Sequence, residues 1–560
     1  MNPVKQAVLE LLHSVVPEAL DDDVKSSPLG GFGSPIAFRL AKKLGSDPRK
    51  IAADLASKII PSGFVESVSA DGGYVNFALD YSAVLKHLMS SSAASKPCSG
   101  SIVLEHTSVN PTGPVHVGRI RNTIIGDSVK RILLHIGYDV ETHYYVNDVG
   151  KQVAIIAVGL SDGLQSADDV KAKYGKYVGR GDYRLFFTYV VANRLYEEDE
   201  AFQKRVTCLI QAAEAGDKKS LEKITSTARE GLAGQLETFK RLGVSFDVFD
   251  FESEGLTDGS VATAMDVVKK SPYFVEDAVG SGVDLSSFGI DKRSGLTVLA
   301  RSDGTSVYLA RDIAYHLKKI GLGDRLINVL GEDHKLQFQE LKTILSEIFK
   351  VSKPIDVVHF SFVNFEGVKF STRKGDIATV DELLDEAVEK ALEEVKKRGL
   401  GDEETARMVG VGAMKFHIVK TSPNKQITFR FSDALNFDGE TAPYIQYAHA
   451  RSCRILEKAG FDGKVGDIDF EVTETDEQSL IMRLLEFDDV VLEAGASLRP
   501  DIVASYLVQL TSDYGRFYMS CPVIDSLESV RNRRLLLVER VRDTIKAGLG
   551  LLGIEAPDRM

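Results

Sequence analysis

No hydrophobic run in this sequence approaches the ~18 residues that a membrane-spanning helix needs. The opening segment, MNPVKQAVLELLHSVVPEALDDD, lacks the basic start and continuous apolar core of a secretory signal. Cysteine is scarce: Cys98, Cys208, Cys453 and Cys521 are the only four in 560 residues, and none forms a CxxC pair. That spacing excludes a disulfide framework and a zinc knuckle and fits a reducing compartment. Positive charge is also short, with 68 Lys and Arg against 81 Asp and Glu and a net charge of −13. Indiscriminate nucleic-acid binding is therefore disfavoured. A basic groove on an acidic body is not, because phosphate affinity follows the local field. Together these absences lead to an expected cytoplasmic protein with no membrane partner. What is present, 44% hydrophobic and 27% charged residues, is ordinary for a globular chain long enough for several domains.

Residues 1–95 read as a module of their own. Helical stretches (VKQAVLELL, PIAFRLAKKL, PRKIAADLASKI) precede an alternating segment, FVESVSADGGYVNFAL, which predicts an α+β unit. The run SSSAASKPCSG has almost nothing to bury and reads as a linker. Over 101–152, SIVLEH predicts a short buried strand and YDVETHYYVND an alternating one. Between them, RIRNTIIGDSVKRILLHIG places Ile120, Ile124, Val129, Ile132, Leu133 and Ile136 on one helical face. Such a βαβ unit implies parallel strands. Residues 153–295 are charged and mostly helical, strand and helix signals resume over 296–400, and 401–560 carry helical spacing almost throughout. The expected fold class is α/β, with a Rossmann-type parallel-sheet core. An insertion splits that core, an N-terminal α+β module precedes it and a C-terminal all-α bundle follows.

Two segments carry chemistry. In NPTGPVHVGR (110–119), Pro111 and Pro114 fix a turn while Gly113 and Gly118 leave the backbone bare where a ligand would approach. At a βα corner the following helix N-terminus offers N–H groups to phosphate, and His116 would face that anion. The second segment, GVKFSTRKGDIATVDELL (367–384), sets Lys369, Ser371, Thr372, Arg373, Lys374 and Gly375 just before a helix, a cationic loop suited to wrap a triphosphate. Alone, the corner reads equally well as a rigid turn with one partly exposed histidine, and a basic run like the second is more commonly a solvated turn.

The pair resembles the class I aminoacyl-tRNA synthetases, whose HIGH and KMSKS motifs correspond to His116-Val117-Gly118-Arg119 and to the Lys369–Lys374 loop. More narrowly, the chain resembles the arginyl-tRNA synthetase family in NPTGPVHVGRIRNTIIGD, HYYVNDVGKQ, YLARDIAYHL, FSTRKGDIATVDELLDEA, FDGETAPYIQYAHAR and LGLLGIEAPDRM. The resemblance implies that arginine attacks the α-phosphate of ATP, which enters with Mg²⁺ as substrate, and that the arginyl group then passes to tRNA(Arg). His116, Gly118 and Arg119 would act with Lys369, Arg373 and Lys374 on the phosphates. Gly113, Ser371, Asp333 and His334 would complete the ATP site. Two positions depart from the pattern. Arg119 stands for the second histidine of HIGH, and Thr372 stands where the second KMSKS lysine is expected, leaving Lys374 or Lys335 to replace it.

The resemblance also implies an arginine pocket. Glu105 or Asp312 would pair with the guanidinium, which matches a carboxylate through two parallel bonds. Tyr308 would close the pocket, Asn110 would hold the amino-acid end and Glu332 would add an acceptor. A site that satisfies a buried cationic fork rejects analogues without editing; hence 153–295 is expected to contact the acceptor stem and not to hydrolyse products. The N-terminal module would meet the tRNA elbow through Tyr74 and Asn76, with Arg39, Lys42, Lys43, Arg49 and Lys50 as a candidate phosphate-contacting face. Gln446, Tyr447 and Arg451 would lie near the anticodon nucleotides. No zinc or other resident metal is implied, and a monomer is expected. Two alternatives stay open: another class I synthetase, and a catalytically silent tRNA-binding protein on the same scaffold.

Overall fold

The computed structural model describes residues 2–27, 31–90, 97–164, 172, 174–276, 280–290, 296–301, 307–366, 378–399 and 401–560, with only the backbone described at 256 and 301. Contacts group the chain into two compact units. One comprises Lys96–Lys390 with Met414–Ala434; the other comprises Met1–Ser95, Ala391–Ala413 and Leu435–Met560.

The first unit is built on a five-stranded sheet of β1 (Ser101–Thr107), β2 (Asp139–Val146), β3 (Val248–Phe251), β4 (Arg325–Gly331) and β5 (Ile355–Phe360), all parallel. Their spatial order is β5-β4-β1-β2-β3. Ile102, Val103 and Leu104 of β1 are all buried, as a central strand covered on both faces requires. Helix α1 (Ile120–Ile136) buries all six residues of its predicted apolar face and ends at Gly137 in the left-handed conformation. The strand order reverses between β1 and β4, so the crevice beyond their carboxyl ends is where such a sheet binds ligands.

β3 lies inside the stretch read from sequence as helical insertion. Its four residues, VFDF, are too short to carry a periodic signal, and pairing with β2 recruits them. A second difference follows: Phe274–Glu276, Gly280–Val283 and Thr297–Arg301 form an antiparallel sheet within or at the edge of the same stretch. The insertion's helices include α2 (Gly181–Glu198) and α3 (Lys218–Arg241), gathered around Ile155, Leu185, Phe202 and Ile224. α4 (Tyr308–Ile320) returns the chain to the sheet, and α5 (Val380–Arg398) follows the KMSKS-like segment.

In the other unit, Lys25–Ser26, Phe32–Ser34, Tyr74–Leu79 and Val65–Asp71 form an antiparallel sheet. Val75, Phe77 and Leu79 face its core, leaving Tyr74 and Asn76 on the opposite side. The C-terminal part is helical, led by α6 (Ala442–Ala459), with long helices Pro500–Ser520 and Glu528–Leu551. The sequence boundary at 400/401 does not separate the units, because residues 391–413 join one and 414–434 the other. No helix among the described residues is long and apolar enough to cross a membrane.

Candidate active site

The carboxyl end of β1 runs into the 110–119 corner. His116 caps the turn that starts α1: its Nδ1 accepts the Gly118 N–H at 3.0 Å. A Cβ at Gly118 would come within 2.9 Å of that nitrogen, so the glycine makes room for the imidazole itself. Burial, reinforced by Arg119, pushes the His116 pKa below its ordinary value, so the ring is neutral at pH 7. With Nδ1 accepting, the single proton sits on Nε2, the arrangement of a hydrogen-bond donor. Gly113 differs from expectation. A Cβ there would press on Phe186 of α2 at 3.2 Å, so its bareness serves packing within the protein rather than approach of a ligand.

The corner is pinned to the chain that follows the KMSKS-like segment. Val117 N–H donates to Ala378 O at 3.1 Å, Val380 N–H donates to Val115 O at 2.8 Å, and His116 pairs with Thr379. Arg121, fully buried two residues into the motif's helix, donates to Ser361 O at 2.5 Å and Ser422 O at 3.2 Å. One stretch therefore holds the chain on both sides of 367–377. Lys369, Ser371, Thr372, Arg373 and Lys374 themselves lie outside the described residues.

A cavity of about 340 Å³ opens at the reversal between β1 and β4 and is lined by Glu105, Asn110, Arg119, Tyr308, Asp312 and His334 among others. Six sequence-selected residues thus converge from four elements. Glu105 is already paired, accepting from buried Lys319 Nζ at 2.5 Å. Among the described residues the Asp312 carboxylate accepts only from an amide, Gln337 Nε2 at 2.8 Å, and burial beside Glu105, against the opposing pull of Lys319, pushes its pKa up to about 7. Its neighbour Arg311 turns away to pair with Glu252. Tyr308, at the first turn of α4, is 66% exposed and stands at the rim. Glu332 and Asp333 do not line this cavity. The Glu332 carboxylate is engaged by Ser361 and Lys335, which hold its pKa below the usual value, so it is no member of the arginine pocket as observed. Lys335, in turn, is occupied by Glu332 at 3.5 Å.

Sequence reasoning missed Lys319, Gln337, Arg121, Gln235 and Asp381. Each is a polar residue on an otherwise ordinary helix face, and only tertiary contact distinguishes it. Gln235 of α3, for example, donates to Asn110 O at 2.9 Å and Gly113 O at 2.7 Å.

The expected tRNA-facing residues divide. Tyr74 is exposed and edge-on to Phe38, with Asn76 half-buried on the same strand face. Arg39 is tied to Asp23 at 2.5 Å and Lys43 to Glu18 at 3.4 Å, whereas Lys42, Arg49 and Lys50 are exposed. On α6 the Arg451 guanidinium lies 4.7 Å from the Tyr447 ring and 4.9 Å from that of Tyr518, a partly exposed stack. Gln446 is corrected: it is fully buried and donates to Met408 O at 3.1 Å and Glu555 O at 2.7 Å, so it braces the bundle and cannot meet a nucleotide. His449, Cys453 and Asp558 approach within 4.8 Å of one another, a set with metal-ligand chemistry. Burial and Asp558 push the thiol up to about 11, against the opposing pull of Arg542 and Lys546.

Comparison with known proteins matches the whole length. Residues 2–79 match the family described as arginyl tRNA synthetase N terminal domain, 82–431 the tRNA synthetases class I (R), catalytic domain, and 445–560 the DALR anticodon binding domain. An arginine–tRNA ligase of Methanocella arvoryzae is 39% identical, covering 100% of this chain and 98% of its own. That of Methanothermobacter thermautotrophicus is 40% identical, covering 99% and 98%. The solved arginyl-tRNA synthetase of Thermus thermophilus superposes with a TM-score of 0.83 at 30% identity over 99% of this chain and 100% of that one. The parallel sheet, its switch-point cavity and these full-length relatives agree: the chain belongs to the arginyl-tRNA synthetases, the class I arginine–tRNA ligases.

Proposed function

We propose a division of labour among these residues in joining arginine to tRNA(Arg). Arginine enters the 340 Å³ cavity guanidinium first. Asp312 is its carboxylate partner, because Lys319 bonds Glu105 while Asp312 makes no ion pair among the described residues. Glu105 shapes the same wall, Tyr308 closes over the entrance and Asn110 holds the amino-acid end. That half-buried carboxylate at the switch point, bonded to an amide and to no cation among the described residues, is the observation carrying the assignment.

ATP, accompanied by Mg²⁺, lies along the corner, where the arginine carboxylate attacks the α-phosphate and pyrophosphate departs. His116 donates from Nε2 to phosphate oxygens as charge builds, and its neutral tautomer is set in advance by the Gly118 N–H. Arg119 at the cavity rim takes the part of the second HIGH histidine, with His334 nearby. Lys374, Arg373 and Lys369 neutralise the leaving pyrophosphate. The chemistry needs positioning and charge stabilisation and calls for no zinc. The inserted helices meet the acceptor stem and carry no hydrolytic editing site. Tyr74 with Asn76 meets the tRNA elbow, and the Tyr447–Arg451–Tyr518 stack meets the anticodon. The enzyme works as a cytoplasmic monomer.

Arginine-dependent ATP–pyrophosphate exchange, with and without tRNA, tests this reading. Exchange is expected when tRNA is present. His116→Ala should slow it by ~10²–10³-fold, the usual loss for one donor to developing charge, with tRNA affinity intact. A parallel loss of tRNA binding would make the histidine structural.

A further inference from the structure

We infer that Asp381 is a positioning residue through which the inserted helices set the place of His116. The inference rests on the assignment of His116 to the activation step. Asp381 is the second residue of α5 and has no exposed surface. Its carboxylate receives Arg241 Nη1 at 2.6 Å, Thr238 Oγ1 at 2.7 Å and Arg180 Nη1 at 2.9 Å, all from the insertion. Arg180 is itself fixed by Asp182 at 2.7 Å and by Gly234 O at 2.6 Å. From Asp381 the path to the catalytic ring is two residues of backbone. Val380 bonds Val115, and Thr379 pairs with His116. Thr379 is held in addition by Tyr183 Oη of α2, which donates to its Oγ1 at 3.1 Å.

Four donors, Thr238 and Arg241 of α3, Arg180 at the N-terminal cap of α2 and Tyr183 Oη of α2 at 3.4 Å, hold this carboxylate directionally, which a hydrophobic contact of equal volume would not do. Buried ion pairs add little net stability over such a contact, so directional constraint is the better reason for this one. The same helix grips the other end of the corner, where Gln235 holds the carbonyls of Asn110 and Gly113. Any shift of α2 and α3 is therefore transmitted to both ends of the corner, and catalysis by alignment is sensitive to displacements on the order of 1 Å. The inserted helices thereby gain a mechanical route to the activation chemistry.

A double-mutant cycle in pyrophosphate exchange, with saturating tRNA, tests this. Asp381→Asn should lower kcat about tenfold or more with KM for arginine nearly unchanged. In a His116→Ala background the same change should lower kcat less than about twofold, because the ring it positions is gone. An equal factor in both backgrounds would overturn the inference. If Asp381→Asn does not fold, Tyr183→Phe, which removes only the hydroxyl reaching Thr379 and Asp381, is run through the same cycle with the same criterion. A wild-type chain without arginine-dependent exchange would instead refute the assignment of the activation step itself.

Discussion

The Asp312 carboxylate accepts from one amide, is half-buried and has an acidic neighbour, so without a cationic partner it is partly protonated near neutrality. An arriving guanidinium favours the charged form, so arginine binding expels a proton. Arginine affinity should be full above about pH 8 and fall as pH drops through about 7, approaching tenfold per unit below it. Calorimetry from pH 5.5 to 8.5 reads this directly, and a flat dissociation constant across that window would refute the assignment. Stability runs the opposite way. A carboxyl group with a raised folded-state pKa binds more protons folded than unfolded between its ordinary value of 3.8 and about 7, so stability declines as pH rises through that interval. Asp312→Asn should therefore raise the melting temperature of the ligand-free chain at pH 8 while abolishing arginine binding. An active site commonly carries such a burden.

Elements meet the corner as closely as backbones allow. A Cβ on Gly231 of α3 would collide with the carbonyl oxygen of Pro111, so α3 touches the turn main chain to main chain. Gly231→Ala must push the helix away, and with it the Gln235 bonds four residues on. Overpacking of this kind typically destabilises by ~1–3 kcal/mol. The expected result is that loss in urea denaturation, with slower pyrophosphate exchange in the folded fraction; unchanged exchange would show that α3 does not position the corner. This contact also marks what a sequence can reveal. Both glycines and prolines of 110–119 announced a rigid corner. The partner of Gly113 is Phe186 and that of Pro111 is Gly231, and neither helix carries any local sign of its destination. β3 escaped for a related reason, since four residues hold no period and only β2 makes them a strand. By contrast, the apolar runs of β1 and α1 encode burial directly in their spacing. The pocket followed the same rule. Glu105, Asn110, Tyr308 and Asp312, named by resemblance, line one cavity, but the proposed choice between the two acids needed Lys319, 214 residues from Glu105.

At the scale of the whole chain, a net charge of −13 must still accommodate a polyanion. Long-range repulsion works against tRNA, so affinity has to come from local contacts that pair a cation with a stacking surface. Arg451 between the rings of Tyr447 and Tyr518 is such a place on the helical unit. Its two components respond differently to salt. Base–aromatic stacking is worth ~1–3 kcal/mol per base and releases no counterions, whereas a phosphate contact contributes about one counterion to the salt slope. Tyr447→Ala should thus weaken tRNA binding by roughly 5- to 150-fold at every ionic strength, leaving the slope of log K against log salt unchanged. Arg451→Ala should weaken binding more at low salt than at high salt and reduce that slope by about one. Both variants should raise KM for tRNA while retaining kcat at saturation, since the stack contributes no group to the phosphate chemistry. Binding isotherms between about 50 and 200 mM salt separate the two cases. If neither substitution alters tRNA affinity, the stack is a buttress within the bundle and the anticodon contacts lie elsewhere on this unit.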